Sequence, residues 1–175
     1  MTSQTFRPLL VVIIMMATSM NLHAQEPSMQ ALIGQSLAKV EQSSPASFLN
    51  CVAELKRIDA MFPDSIQPKY LIALQSLNFS VLNPRAEQTE NMLGEAEQAI
   101  LQMEKMKNAD QSDLCTLRGF LYMVRIVQDP AKNGQRYYLD VMQNYEKALK
   151  LNPDNQLARQ LQQKFFEGMK QARGQ

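Results

Sequence analysis

Apolar residues recur along the chain at helical spacing, and the pattern repeats every 45 residues. Aligning Cys51 with Ala96 and Val141 brings the neighbouring apolar positions into register, with offsets of 3 and 4 residues inside each copy. Such offsets place side chains on one face of an α-helix, whereas a β-strand would alternate apolar and polar residues. The aligned columns are Phe48, Leu93 and Tyr138; Leu55, Ile100 and Tyr145; Ile58, Met103 and Ala148; and Met61, Met106 and Leu151.

An earlier segment of each copy repeats with the same period, so each unit contains two helices. The pattern predicts helix pairs over 27–42 and 45–61, 66–82 and 85–107, and 112–128 and 137–151, with a closing helix over 154–172. A helix pair with one apolar stripe cannot bury that stripe alone, so we expect neighbouring pairs to stack around a shared core. The predicted fold is an all-α solenoid of about three helical hairpins plus a C-terminal capping helix.

Proline, glycine and capping residues separate the predicted helices. In Ser44-Pro45 and Asn83-Pro84, a capping residue precedes a proline, which is typical of a helix start. The segment 129–138 contains a proline and a glycine, and we expect it to break the third pair as the longest irregular stretch.

The segment from Tyr145 to Asn155 resembles the second helix and exit turn of a tetratricopeptide repeat (TPR). That family spaces a small apolar residue, an aromatic residue, a small residue and a proline as Val141, Tyr145, Ala148 and Pro153 stand here. The resemblance implies a right-handed α-solenoid and a protein-binding role, by analogy with the family.

The repeat length departs from the TPR pattern, because the family repeats every 34 residues and this chain every 45. The additional residues lie between the two helices of each pair. A HEAT-like repeat is therefore the alternative fold, since its length is closer to 45. Over about residues 45–160 the chain resembles small exported TPR-like proteins of Gram-negative bacteria, whose functions are mostly unassigned, and the resemblance is distinctive only from Leu114 onward.

The N-terminal residues have the pattern of a secretory leader. Arg7 precedes the apolar run Leu9–Ala17, which is about half the ~20 residues that a membrane-spanning helix needs. We therefore expect a signal peptide over 1–24, cleaved after Ala24, with cleavage after Ser19 as the alternative. The expected compartment is the periplasm, or the medium if the protein is secreted, with no stable membrane anchor after cleavage.

Removal of the leader changes the available chemistry. The repeat domain would span 25–175 and would lose Arg7 and His23, leaving 17 basic against 17 acidic residues and no histidine. Near-zero net charge gives no electrostatic basis for nucleic-acid binding. The absence of imidazole excludes catalysis by a histidine base and histidine-containing zinc sites.

The chain contains two cysteines, Cys51 and Cys115. An even number of cysteines in an oxidising compartment favours a disulfide. However, a complete predicted helix pair separates the two, and Cα atoms more than about 7 Å apart cannot be bridged. We therefore expect buried free thiols, with a disulfide as the alternative.

Five residues are candidates for protein binding. Arg118, Tyr122 and Arg125 share one helix face at offsets of 4 and 3. The TPR resemblance implies that this first helix lines a concave groove, where arginine can grip a partner's carboxylate. Arg136 and Tyr137 are candidates because they lie in the predicted irregular segment, and loops on rigid scaffolds often bind partners. The alternative is that Tyr122 belongs to the core and the arginines to a solvated surface.

No catalytic, metal or cofactor site is predicted. A group of glutamates fits a solvated helix face better than an acid–base pair: Glu87, Glu90, Glu95, Glu97 and Glu104. The methionines are expected to fill the core, and the chain has no Gly-rich phosphate loop and no Cys-x-x-Cys pair.

The expected function is that of a non-catalytic protein-binding adaptor or assembly scaffold in the cell envelope. A peptide or a partner helix would bind in the concave groove. Self-association through the exposed ends of a short stack is a further expectation. The alternatives are a small carboxylate-dependent hydrolase or lyase on a helical scaffold, and a structural part of a larger envelope complex.

Overall fold

A computed structural model describes residues 27–173, and this part of the chain contains seven α-helices and no β-strand. The all-α class is therefore confirmed. The expected leader over 1–24 lies outside the described residues. The helices are α1 (Met29–Leu37), α2 (Pro45–Met61), α3 (Ile66–Leu82), α4 (Thr89–Glu104), α5 (Gln111–Gln128), α6 (Pro130–Leu151) and α7 (Gln156–Arg173).

The largest departure from the predicted helices is at the start of α6. The segment 129–138 was expected to be irregular, and this expectation is wrong because α6 begins at Pro130. The side chain of Asp129 accepts a hydrogen bond from the backbone N–H of Lys132 at 3.1 Å, so Asp-Pro is a helix start here. Asn133 donates from its side chain to the carbonyl of Arg125, which satisfies the last turn of α5.

The start of α4 is also later than predicted. Asn83 does not cap α4; its side-chain nitrogen donates to the carbonyl of Phe79 at 3.0 Å and so closes the end of α3. Five residues of turn follow before α4 begins at Thr89, whose hydroxyl donates to the carbonyl of Asn83. The Asn83-Pro84 pair therefore ends α3 and does not begin α4.

The helices pack in a regular order around one core. Each helix contacts the next one along the chain, and in addition α3 contacts α5 and α5 contacts α7. All seven helices contribute buried apolar residues to one continuous cluster. Leu55, Ile100 and Tyr145, which fall in one column of the 45-residue alignment, are all buried in it. The alignment thus identified a core-facing stripe correctly.

Helices α5 and α6 pack tightly where Gly119 faces the ring of Tyr145. A Cβ atom added at Gly119 would lie 2.7 Å from Cε1 of Tyr145, closer than two carbon atoms can pack. The Tyr145 ring is fully buried, and its hydroxyl donates to the sulfur of Met123 at 3.8 Å. Burial raises the pKa of this phenol far above its ordinary value. Glycine is therefore required for the spacing between the two helices.

A buried polar junction fixes the start of α7. The Oδ1 atom of Asn155 accepts from the backbone N–H of Ala158 at 3.0 Å, which caps α7. Its Nδ2 atom lies 2.9 Å from the hydroxyl of Ser112 and 3.1 Å from a carboxylate oxygen of Asp113, both on α5. The Ser112 hydroxyl in turn donates to the carbonyl of Ala148 on α6. One asparagine thus ties α7 to the two helices beneath it.

Cys51 and Cys115 are both free and buried. Burial, together with the nearby carboxylate of Glu54, raises the pKa of the Cys51 thiol to about 11. Burial also raises the pKa of Cys115. Both thiols are therefore protonated at neutral pH and behave as small apolar side chains.

The close approach at Gly119 gives a direct test of the packing. We expect Gly119→Ala to lower the free energy of unfolding by about 1–3 kcal/mol, because the added methyl group overlaps the Tyr145 ring. Urea unfolding followed by circular dichroism measures the change.

Gly94→Ala is the matched control, because Gly94 also lies inside a helix but has open space where its Cβ would be. This substitution is expected to raise the free energy of unfolding by about 0.5–1 kcal/mol through helix propensity. Equal effects of the two substitutions would contradict the packing of α5 against α6.

Candidate functional site

Four of the five residues predicted to bind a partner lie together at the junction of α4, α5 and α6. Tyr122, Arg125, Arg136 and Tyr137 line one cleft of about 380 Å³. Arg118 lies one helical turn before Tyr122 on the same face of α5. Arg136 and Tyr137 belong to the second turn of α6, not to a loop as expected.

Both arginines of α5 form ion pairs with glutamates of α4. The Nη1 atom of Arg125 donates to both carboxylate oxygens of Glu90, at 2.9 and 2.8 Å, and Gln128 donates to the same carboxylate. Arg118 pairs with Glu104. Hydrogen bonds from Arg125 and Gln128 hold the pKa of Glu90 below its ordinary value. Glu90 and Glu104 therefore connect α4 to α5, while Glu90 keeps 68% of its side chain exposed, as expected of a solvated helix face.

Three planar groups stack between α5 and α6. The rings of Tyr122 and Tyr137 lie 5.4 Å apart, with only 18° between their planes. The guanidinium carbon of Arg136 lies 4.9 Å from the centre of the Tyr137 ring, within the range of a cation–π contact. Both tyrosines are half-buried and pack against the core. The stack forms a fixed aromatic wall of the cleft.

Not every charge in this cleft is paired. Asp129 caps α6, and Arg125 is neutralised by Glu90. Four charged residues of the cleft form no ion pair with any residue in the described range: Glu97 on α4, Asp129 at the start of α6, and Lys132 and Arg136 on α6. The cleft therefore presents unpaired charges of both signs beside its aromatic wall.

A larger groove of about 600 Å³ lies on the other side of α5, between α2, α3, α5 and α7. Phe120 and Met123 line it. Phe120 lies two residues before Tyr122, and Met123 lies two residues before Arg125; Tyr122 and Arg125 both line the cleft. Side chains two residues apart on an α-helix point in directions that differ by about 200°. The groove and the cleft are thus formed by opposite faces of one helix.

The polar lining of this groove consists mainly of amides. Lys164 is the only charged residue among those that line it. Four amide side chains also line it and make no hydrogen bond to any other described residue: Gln42, Gln75, Asn78 and Gln160.

Sequence reasoning did not identify the groove. One signal was available, because the segment 71–82 contains no charged residue, and its two amides, Gln75 and Asn78, lie three positions apart on one helix face. What the sequence does not show is that α7 faces them.

A third cleft, of about 320 Å³, contains Tyr70, Asp110 and Asp113. Burial raises the pKa of Tyr70 to about 12, and burial and the neighbouring Asp110 raise the pKa of Asp113. Two shifted acidic groups are what a carboxylate-dependent enzyme would need. However, the Asp110 carboxylate caps α5 by accepting from the backbone N–H of Asp113, and Asp113 itself accepts a hydrogen bond from Asn155.

Comparison with protein-family models, with curated proteins and with solved structures gives no match to this chain. The TPR resemblance of the sequence therefore stays a prediction. Within residues 27–173, no helix has the length and apolar character required to cross a membrane. The same residues contain no group of three or more histidine, cysteine, aspartate or glutamate side chains placed to hold a metal ion.

The Arg125–Glu90 pair predicts a pH dependence. The folded state lowers the pKa of Glu90 below its ordinary value of 4.5, so the pair stabilises the fold above that pH and its contribution is lost as the pH falls through the lowered pKa. Glu90 is largely exposed, so solvent screening limits the contribution to less than about 1 kcal/mol. A ¹³C NMR titration of the side-chain carboxyl should give a midpoint below 4.5 in the wild type.

Arg125→Gln should return the Glu90 midpoint towards its ordinary value, because the charged donor is lost. Lys107→Gln, an exposed charge change beyond the end of α4, should leave the midpoint unchanged. An ordinary Glu90 pKa in the wild-type protein would show that the pair does not form in solution.

Proposed function

We propose that the chain is a TPR-like right-handed α-solenoid in which α1–α2, α3–α4 and α5–α6 are the three hairpins and α7 is the cap. The helix contacts support this proposal. In a stack of hairpins, the first helices of consecutive pairs touch each other, and the contacts of α3 with α5 and of α5 with α7 follow that order. The apolar stripe of α7, with Leu161 and Phe165 buried, fits a helix that covers the last pair.

We further propose that the protein is a non-catalytic adaptor or assembly factor that binds an extended peptide segment of a partner protein. The groove across α2, α3, α5 and α7 is its binding site. One observation carries this proposal: four amide side chains without internal partners line a groove that is otherwise almost uncharged.

The chemistry of the lining favours an extended peptide. A peptide backbone offers a donor and an acceptor at each residue, and an amide side chain has both. The exposed Leu82 and the half-buried Val81 and Leu157 provide apolar surface for the peptide's side chains, above the buried Phe120 and Met123. Because Lys164 is the only charged lining residue, the bound segment should be apolar and carry a carboxylate near one end.

Export remains part of the proposal. The leader pattern over 1–24 supports delivery to the periplasm, with release from the cell as the alternative. Exposed apolar residues such as Met61 on α2 and Phe166 on α7 would support self-association of two copies. The protein-binding role of Arg118, Tyr122, Arg125, Arg136 and Tyr137 stays a prediction.

A carboxylate-dependent hydrolase or lyase is the second candidate, favoured by the shifted pKa values of Tyr70 and Asp113 in one cleft. A carboxyl group with a raised pKa can donate a proton. A phenol with a pKa near 12 is not a base at neutral pH, however. The carboxylates of Asp110 and Asp113 both accept hydrogen bonds from other groups of the protein. This cleft therefore supports an enzyme less well than the groove supports an adaptor.

Selection from a random peptide library, followed by fluorescence anisotropy of the selected peptides, tests the adaptor proposal. We expect apolar peptides that carry an acidic residue or a free C-terminal carboxylate. Asn78→Ala and Lys164→Gln should each weaken binding by about tenfold. Asn78→Ala removes a hydrogen bond to the peptide backbone, and Lys164→Gln removes a charge-assisted hydrogen bond to the carboxylate.

Lys170→Gln is the matched control, because Lys170 is an exposed lysine of α7 that does not line the groove. It should bind the selected peptides as the wild type does. Failure to select any peptide, or equal loss of binding in all three variants, would contradict the proposal.

A further inference from the structure

The cleft between α4, α5 and α6 has unpaired charges of both signs on facing helices. Glu97 projects from α4, and Lys132 and Arg136 project from α6 one helical turn apart. Opposite charges across a cleft usually pair when they can reach each other. Glu97 forms no ion pair with either cation, and all three side chains line the same cleft of about 380 Å³, where their charges are accessible to a ligand.

Arg136, one of the two cations of the cleft, is positioned by an aromatic contact before any ligand binds. The guanidinium of Arg136 lies over the Tyr137 ring, and Tyr137 stacks on Tyr122 of the neighbouring helix. An arginine held on an aromatic face loses less conformational entropy when it binds a carboxylate. The Arg136 side chain is exposed, so its remaining N–H donors are accessible.

The apolar part of the cleft is small. Leu121 and the two tyrosines provide it, and the volume of about 380 Å³ is at the lower end of the range of about 300–1,000 Å³ for small-ligand pockets. The neighbouring Arg125–Glu90 pair is already neutral and contributes no further charge. A suitable ligand is therefore small, carries both a positive and a negative group, and has an apolar portion.

We propose that this cleft binds a free α-amino acid with an aromatic or large apolar side chain. The ligand carboxylate pairs with Arg136 and Lys132, its ammonium group pairs with Glu97, and its side chain packs against the tyrosine wall. This site lies on the opposite face of α5 from the peptide groove, so it does not depend on the proposed adaptor function.

Isothermal titration calorimetry with three related compounds tests the proposal. L-Phenylalanine carries both charges, 2-phenylethylamine only the ammonium group, and 3-phenylpropanoate only the carboxylate. We expect L-phenylalanine to bind at least about tenfold more tightly than either analogue, because 2-phenylethylamine leaves Arg136 and Lys132 unpaired and 3-phenylpropanoate leaves Glu97 unpaired.

Two exposed substitutions assign the charges. Arg136→Gln should weaken binding of L-phenylalanine and 3-phenylpropanoate by about tenfold and leave binding of 2-phenylethylamine unchanged. Glu97→Gln should weaken binding of L-phenylalanine and 2-phenylethylamine by about tenfold and leave binding of 3-phenylpropanoate unchanged. Asn78→Ala, in the peptide groove, is the matched control and should bind L-phenylalanine normally.

Three results would overturn the proposal. One is no measurable heat with L-phenylalanine at about 10 mM, which corresponds to an affinity weaker than about −3 kcal/mol. The second is equal binding of L-phenylalanine and its two analogues. The third is that N-acetylphenylalanine, which mimics a peptide C-terminus, binds as tightly as the free amino acid; the cleft would then be a site for a protein chain end.

Discussion

The contact of Gly119 with the Tyr145 ring sets the distance between α5 and α6, and the cleft between α4, α5 and α6 depends on that distance. The cleft is formed by side chains of α5 and α6 that meet only because the helices are close, as the Tyr122–Tyr137 stack shows. The groove depends on α7, which Asn155 fixes to α5 through Ser112. Helix α5 is therefore the central element, in contact with α3, α4, α6 and α7.

The two faces of α5 have different chemistry. The face towards α4 and α6 carries Arg118 and Arg125, whose ion pairs with α4 leave the aromatic wall and the free charges of α6 accessible. The face towards α3 and α7 carries Phe120 and Met123, and the polar groups opposite them are uncharged amides and one lysine, Lys164. Charged small molecules suit the first face, and an apolar extended chain suits the second. The two proposed ligand sites thus lie on opposite faces of one helix.

Much of the fold could be predicted from the sequence because helical periodicity directly reflects which side of a helix is buried. The stripe through Leu55, Ile100 and Tyr145 was found in this way. Helix starts were less predictable, since the same Asp-Pro or Asn-Pro signal can begin one helix or close another, as Asp129 and Asn83 show.

The candidate sites were predictable only in part. The spacing of Arg118, Tyr122 and Arg125 correctly placed them on one face of a helix, but periodicity does not say which neighbouring helix that face meets. Their ion pairs with α4 and the stack with Tyr137 arise from tertiary contacts between residues distant in sequence. The amide-lined groove was missed for the same reason, because it forms only where α7 returns to face α3.

The central position of α5 is tested most directly by native-state hydrogen exchange measured by NMR. If α5 holds the structure together, the backbone amides of Leu117 and Val124, both fully buried, should exchange only through global unfolding, with the free energy found by urea denaturation. The amide of Ile33, in the short helix α1, should exchange at a lower free energy through local opening. Exchange of Leu117 and Val124 through local opening, at or below the free energy of Ile33, would contradict this account.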